Sequence, residues 1–365
     1  MKTNRIENIL NKTLNFEFLS PEEGLLLFKE ASLTDLMYYA SIVRKKIHPE
    51  NIVTFIIDRN INLTNICVSK CLFCNFCRNK NEQDSYVLCI EDYINKVDEL
   101  YRAGGKQILL QGGLNPDLNI SFYEDLFKEL KILFPDLRLH ALGPPEIVYM
   151  AKKSHLTPEK ALIRLREAGL DSLPGAGAEI LSDRVRKIVS PAKCTSAEWL
   201  DVMRIAHILG MTTSATMMFG HLETTEERIG HLIKIRNLQK QKPEYSKGFI
   251  SFSLWPLASQ NTKLIHKFPE IKNVSGHEYL RMLAISRLML INIPNIQVSW
   301  LTMGAEIAQL CLNAGANDMS SVMFEENVVS QAGKKYRLGI EEMKLLIANA
   351  GFRPSIRNQE YEILK

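Results

Sequence analysis

Four of the seven cysteines of this chain crowd into one run, Asn65-Ile66-Cys67-Val68-Ser69-Lys70-Cys71-Leu72-Phe73-Cys74-Asn75-Phe76-Cys77-Arg78. An odd number cannot all pair, and disulfide scaffolds belong to small secreted chains rather than to one of 365 residues. Clustered thiols in a long chain therefore read as metal ligands. Three thiolates at the spacing Cys67-x3-Cys71-x2-Cys74 can wrap one face of a [4Fe-4S] cube and leave the fourth iron free to hold a substrate. A structural zinc site prefers four protein ligands in two separated pairs; it stands as the alternative, together with reduced thiols that hold no metal. Cys77 is a fourth candidate. As a ligand it would close the open iron and leave an electron carrier, so in a long, catalytic-looking chain it reads as a neighbour of the cluster. Cys89, Cys194 and Cys311 stand singly among apolar residues and read as core.

A loop of this kind needs a rigid frame. Short apolar, β-branched runs alternate with charged segments of helical spacing, with Gly or Pro at many junctions. Strands are predicted at 53–57 (continuing toward 61–63), 107–110, 138–142, 172–174, 212–217, 249–255, 296–300 and 317–322. Helices are predicted near 91–103, 121–132, 158–168, 196–209, 226–240, 277–291, 304–313 and 340–349. Strands and helices in strict alternation are the arithmetic of an α/β protein built as a (β/α)8 barrel; a doubly wound open sheet fits nearly as well, since periodicity does not show closure. Residues 1–50 read as a helical extension capping one end of the barrel, 51–335 as its core, and 336–365 as a C-terminal helical segment packed on it. Polar and glycine residues follow the strands at Gln111-Gly112-Gly113, Gly143-Pro144-Pro145-Glu146, Gly175-Ala176-Gly177-Ala178-Glu179, Gly220-His221-Leu222-Glu223 and Glu325-Glu326-Asn327. Ligands bind at the C-terminal strand ends of such sheets, so these loops are predicted to converge on one site.

Composition excludes other classes. With 46% apolar and 24% charged residues the chain is globular, and 45 Lys and Arg against 41 Asp and Glu leave a net charge of +4. A nucleic-acid partner would need a concentrated basic face. Residues 1–8 lack the apolar region of a signal peptide. The longest uncharged stretch, 288–305, is broken by Asn292, Pro294, Asn295, Gln297 and Ser299, which a bilayer span tolerates badly. The expectation is a cytoplasmic protein with no membrane and no nucleic-acid partner.

The cysteine loop after a first strand, with Phe73 just before its third cysteine, resembles the signature of the radical S-adenosylmethionine (SAM) enzymes. Longer runs resemble the dehypoxanthine futalosine cyclase family within them, which serves the futalosine route to menaquinone. These are Ile108-Leu109-Leu110-Gln111-Gly112-Gly113-Leu114, His140-Ala141-Leu142-Gly143-Pro144-Pro145-Glu146, Asp171-Ser172-Leu173-Pro174-Gly175-Ala176-Gly177-Ala178-Glu179, Ala215-Thr216-Met217-Met218-Phe219-Gly220-His221-Leu222-Glu223 and Glu325-Glu326-Asn327-Val328-Val329. The likeness runs from about residue 50 to the C-terminus. Aminofutalosine synthase and the large subunit of the deazaflavin-precursor (FO) synthase share parts of it; Ser190-Pro191, Trp255-Pro256 and the run 217–221 favour the cyclase. Two positions depart: Ala176 stands where a third glycine is usual, and Cys77 where an aromatic or other residue is.

The resemblance implies a radical SAM TIM-type barrel and an oxidoreductase carrying a [4Fe-4S] cluster on Cys67, Cys71 and Cys74, with S-adenosyl-L-methionine on the open iron. An external one-electron donor such as flavodoxin or ferredoxin would reduce the cluster. The radical then formed would take the C4′ hydrogen from the ribose of a small-molecule substrate, dehypoxanthine futalosine. The carbon radical would close onto the benzoate ring, and one electron and one proton would leave. Phe73, Gln111, Gly112 and Gly113 are then predicted to line the SAM site, the glycines because only they admit close backbone approach; a plain strand-to-helix turn is the alternative. Glu179 matches the family residue that hydrogen-bonds the SAM ribose, with a helix-terminal charge as the alternative. His221, Glu223 and His140 are candidates for the proton acceptor, histidine because it titrates near neutrality, although a lone histidine is more often structural. Met217, Met218 and Phe219 read as core and pocket wall.

Overall fold

The computed structural model describes residues 5–325, 327, 331 and 338–364 in full and 2–4 as backbone. Three helices open the chain: α1 (Lys2–Leu14), α2 (Pro21–Glu30) and α3 (Leu33–Ile47). The strands are β1 (Ile52–Ile56), β2 (Asp58–Asn62), β3 (Gln107–Gln111), β4 (Arg138–Ala141), β5 (Ser172–Leu173), β6 (Thr212–Phe219), β7 (Phe249–Pro256), β8 (Asn295–Gln297), β9 (Asp318–Ser321) and β10 (Arg353–Ile356). Among and after them lie α4 (Ile90–Arg102), α5 (Ile120–Leu133), α6 (Pro144–Lys153), α7 (Pro158–Glu167), α8 (Asp183–Val189) and α9 (Ser196–Ile208). The remaining helices are α10 (Thr225–Lys240), α11 (Lys263–Lys267), α12 (Gly276–Met289), α13 (Trp300–Met303), α14 (Ala305–Leu312) and α15 (Ile340–Asn349).

The strands pair in parallel in the order β10-β1-β9-β8-β7-β6-β5-β4-β3-β2. The single long run expected at 53–63 is β1 and β2 in succession, interrupted at Ile57. β1, which pairs with β9, and β2, which pairs with β3, are successive parts of one chain segment, so that segment joins both ends of the run β9 to β3 and closes the sheet, with β10 lying outside on β1. Closure selects the (β/α)8 barrel over the open sheet. Period-two alternation sorts the side chains: Ser214, Thr216, Ser251 and Ser253 line the barrel interior, whereas Ala215, Met217, Phe252 and Leu254 join the apolar core beneath the helices. Helix starts carry their own signals. At α10, Thr224 Oγ1 accepts from Glu227 N at 3.3 Å and the Glu227 carboxylate accepts from Thr224 N at 2.8 Å.

Four features depart from expectation. The tail at 336–365 is not wholly helical: β10 follows α15 and pairs with β1, Ile52 opposite Arg353. The sequence Arg353-Pro354-Ser355-Ile356 lacks an apolar run, and its proline suits only a sheet edge. Helix α6 begins at Pro144-Pro145, which reads as a turn but also fits the first helical positions. Helices α8 and α11 are too short for their periodicity to be seen. Cys194 and Cys311 are buried, but Cys89 is exposed before α4, where its backbone N donates to Asp92 Oδ2 at 2.9 Å.

The N-terminal helices join the outer layer, α2 against α10 and α12, and α3 against α12. From α3, Arg44 donates to Ala316 O at 3.0 Å and Ile52 O at 2.9 Å, which ties the extension to the N-terminal ends of β9 and β1. Among the described residues no helix is long and apolar enough to cross a membrane.

Candidate active site

A cavity of about 430 Å³ lies inside the barrel, within the size range of small-molecule sites. It runs from Asp58 and Gln107, at the N-terminal ends of β2 and β3, to Cys67, Cys71, Cys74 and Cys77 on the loop after β2. That loop is fastened on both sides. Val68 N donates to Leu114 O at 3.0 Å, Leu72 N to Val189 O at 2.8 Å, and Leu264 N to Leu72 O at 2.8 Å. Leu72 and Phe73 pack on a second apolar cluster of Val185, Val189, Met218, Leu257 and Leu264.

Among the described residues, no three His, Cys, Asp or Glu side chains gather as ligands of a single ion. Cys67, Cys71 and Cys74 instead share one cavity wall, and their surroundings suit thiolates that ligate a cluster. Cys67 Sγ accepts from Leu114 N at 3.2 Å and Ser69 N at 3.4 Å, and Cys71 Sγ lies 3.2 Å from Ser69 Oγ. A hydrogen bond from the Cys77 side chain pulls the Cys67 thiol down to about 6, against its burial. Burial pushes Cys71 up to about 11 and raises Cys74. Cys77 Sγ also lies 3.2 Å from Cys67 O, so it braces the loop.

Gln111, Gly112 and Gly113 line the cavity beside this loop. A Cβ on Gly113 would stand 2.2 Å from Ile66 O, so glycine is required for the β3 turn to pass under the cysteine loop. The amides of both glycines are engaged: Gly113 N donates to Thr64 O at 2.9 Å and Gly112 N to Glu146 Oε1 at 3.0 Å. Glu146 Oε2 accepts from Gly143 N at 2.6 Å, joining the ends of β3 and β4, and burial pushes its carboxyl up to about 7. Ala176, the departure from the glycine pattern, accepts from Trp199 Nε1 at 3.1 Å and stands against Gly143.

Glu179 faces the cavity with a left-handed backbone, φ 39°, unusual for a residue other than glycine. Lys193 Nζ lies 2.8 Å from its Oε1. Its Oε2, 3.5 Å from Arg186, is buried and makes no hydrogen bond among the described residues. Burial would raise this carboxyl, but the charges of Lys193 and Arg186 hold it low. An ionised, half-satisfied acceptor below the cysteine loop fits a ribose hydroxyl of SAM. Lys193 also lies 5.5 Å from the centre of the Phe73 ring, so Phe73, Lys193 and Glu179 form one cluster.

The three proton-acceptor candidates are not brought together. His140 lines the cavity, with Nδ1 2.8 Å from Ser172 Oγ and 3.3 Å from Gln359 Nε2; burial takes it down to about 3, so it is neutral. His221 and Glu223 do not line this cavity. His221 Nδ1 lies 3.1 Å from Glu223 Oε2, and Glu223 Oε1 accepts from Gly220 N at 2.6 Å and Arg228 Nε at 2.8 Å. This closed unit braces the turn between β6 and α10. Glu325 is committed to Arg59 and Lys96 at 3.0 and 2.6 Å, and Asn327 Nδ2 donates to Asn62 Oδ1 at 3.3 Å; Glu326, Val328 and Val329 lie outside the described residues.

Sequence reading missed Lys193 and the polar floor, and placed Glu146 on a converging loop without giving it a role. The floor had one legible signal: Asp58, Asn60 and Asn62 alternate along a strand expected to be buried on both faces. Its other half comes from the tail after β10, where Arg357 binds Asp318 at 2.5 and 2.9 Å and Tyr361 Oη accepts from Gln297 Nε2 at 2.8 Å.

Residues 61–235 match the model of the Radical SAM superfamily, and residues 246–365 that of the CofH/MqnC C-terminal region. The chain is 40% identical over 360 residues to the cyclic dehypoxanthine futalosine synthase of Halalkalibacterium halodurans, spanning 99% of this chain and 95% of that one. It belongs to the radical SAM family. A second relative, from Streptomyces coelicolor and of the same name, is 41% identical over 98% of this chain and 89% of its own. A 5-amino-6-(D-ribitylamino)uracil–L-tyrosine 4-hydroxyphenyl transferase of Methanosarcina barkeri is 38% identical over 93% and 89%. Two solved structures share the fold at 19% identity. The FeFe-hydrogenase maturase HydG of Carboxydothermus hydrogenoformans has a TM-score of 0.76, covering 98% of this chain and 81% of its own. Methylornithine synthase has 0.71, covering 95% and 97%. As a radical SAM protein this chain is an enzyme that uses a [4Fe-4S] cluster and SAM and acts on a small molecule.

Proposed function

We propose that this radical SAM enzyme converts dehypoxanthine futalosine into its cyclic product on the futalosine route to menaquinone. The observation that carries the reading is the identity of about two residues in five with two cyclic dehypoxanthine futalosine synthases, sustained across nearly the whole of all three chains. Cys67, Cys71 and Cys74 hold the cluster, and Glu179 Oε2 accepts from the SAM ribose while Lys193 keeps its carboxylate ionised and in place. When bound, cluster and cosubstrate supply a 5′-deoxyadenosyl radical that takes a hydrogen atom from the substrate, the electron coming from an external donor of the flavodoxin or ferredoxin kind. Phe73 and the apolar cluster behind it keep water from that end of the cavity.

Ring closure onto the benzoate must end with loss of one proton to a base and of one electron to an oxidant, for which the oxidised form of the external one-electron carrier serves. Of the candidates read from sequence, His140 is the one that faces the cavity. It is a weak base there, but a cyclohexadienyl species that regains aromaticity on losing its proton is a strong acid, so a neutral imidazole suffices. His221 and Glu223 serve as positioning residues for the loop after β6.

A second reading is favoured by the Methanosarcina relative: joining a tyrosine-derived hydroxyphenyl group to 5-amino-6-(D-ribitylamino)uracil. The test is anaerobic reconstitution with iron and sulfide, followed by SAM and a reductant with each substrate in turn. Dehypoxanthine futalosine should yield 5′-deoxyadenosine and a product two hydrogens lighter. A coupled product from tyrosine and the ribitylaminouracil, with dehypoxanthine futalosine untouched, replaces the first reading by the second.

A further inference from the structure

One wall of the cavity, below the cysteine loop, carries three acceptors that the scheme above does not use. Asp58 and Gln107 are register partners on β2 and β3, and Asn60 is the next inward residue of β2. Gln107 Nε2 donates to Asp58 Oδ2 at 3.3 Å, and Ser321 Oγ donates to Asp58 Oδ1. Gln107 Oε1 and Asn60 Oδ1 have no hydrogen-bond partner among the described residues. Yet Gln107 is only 4% and Asn60 only 8% exposed. Buried acceptors are nearly always paired, because leaving them unpaired destabilises a fold. Two of them beside a carboxylate, on the wall of a ligand-sized cavity, mark a place where a ligand brings the donors.

The charges nearby say which donors. Arg357 at the floor is committed to Asp318, and Lys193 at the other end to Glu179. Among the described residues no cation of the cavity is thus available to an anionic group at this wall, and Asp58 would repel one. Neighbouring hydroxyl hydrogens match a row of oxygen acceptors.

We propose that Asp58, Asn60 and Gln107 form a polyol subsite that receives the hydroxyl groups of a five-carbon sugar chain and so fixes which of its carbons faces the cysteine loop. The proposal rests on the substrate reading above and deepens it: dehypoxanthine futalosine presents a ribose freed of its base. The ribityl chain of the second reading offers donors of the same class.

The test uses reconstituted holoenzyme with SAM and two variants of similar volume that remove an orphan acceptor, Asn60→Leu and Gln107→Met. Anaerobic titration calorimetry should find the Kd for dehypoxanthine futalosine raised about tenfold or more, with SAM affinity unchanged. KM should rise in step, and more 5′-deoxyadenosine should form per cyclised product, because a loosely held sugar is misplaced. The thermal midpoint of Asn60→Leu should equal or exceed that of the parent, since an unpaired acceptor has gone. Unchanged Kd and KM in both variants overturn the subsite. An analogue lacking one sugar hydroxyl, titrated into the unaltered enzyme, requires no variant to fold; equal affinity for it also overturns the subsite. If the unaltered enzyme binds 5-amino-6-(D-ribitylamino)uracil and not dehypoxanthine futalosine, the substrate reading falls. The subsite then stands if both variants weaken the ribityl ligand by the same factor, and falls if they do not.

Discussion

Glu146 spends both carboxylate oxygens on backbone amides, one at the end of β3 and one at the start of α6. Glu146→Gln puts an NH₂ group opposite one of those N–H donors. The expected loss is about 1–3 kcal/mol, read as a lower urea midpoint, with weaker SAM binding as the Gly112 turn loosens. Burial also raises Asp58 to about 6 and Glu146 to about 7, above the ordinary carboxylate value near 4. A raised acid contributes stability that is complete below its unfolded value and is lost as pH climbs through its folded one. The urea midpoint should therefore fall between pH 4 and 7, and Asp58→Asn should flatten the lower part of that fall; an unchanged slope would refute the raised value. What was legible at this scale was whatever carries its meaning in spacing: three cysteines and a glycine pair. Lys193 carries none, because it acquires a role only when α8 and the turn after it lay it between Phe73 and Glu179. His221 and Glu223 are reactive types after a strand end, and their partners in the fold are each other and Arg228.

Each predicted strand region holds a strand, although 296–300 shortens to β8 at Asn295–Gln297; most show in one dimension as runs whose outward side is apolar, and β9, Asp318-Met319-Ser320-Ser321, shows least. Strand β10 was invisible because it is defined by the edge it meets rather than by its own residues. Its consequence is the Arg357–Asp318 pair at the floor, both side chains at most 2% exposed. Arg357→Met leaves Asp318 buried without its cation, a change expected to cost about 3–5 kcal/mol in chemical denaturation, and Asp318→Asn added to it should recover part of the loss. Additive losses in the double variant would mean that the pair is not a unit. At the opposite end, Gly113→Ala forces a methyl group into Ile66 O. Reconstituted iron per chain should drop in that variant even if the fold survives; full iron content would show that the turn can yield.

One apolar core takes residues from α1 (Ile9, Leu10) through the barrel to α15 (Met343, Ile347), so the three segments read from the sequence share a single interior. Calorimetry should therefore find one cooperative unfolding transition, and removal of residues 1–47 should expose the buried flank of α12 and yield insoluble protein. A separate, lower transition for the extension would contradict this. The near-neutral charge that the sequence displays is also intelligible at this scale, since the groups that meet a ligand are acceptors and committed ion pairs inside the barrel, not a charged face outside it. The pairing of Ile52 with Arg353 has a consequence in time. β1 leaves the ribosome long before β10. Local helix-strand units form quickly, but this contact joins Ile52 to Arg353, about 300 residues apart, and must await release of β10. A nascent chain thus passes through a stage in which the barrel's polar interior lies open at one end, and the cysteine loop is complete well before the chamber beneath it is sealed.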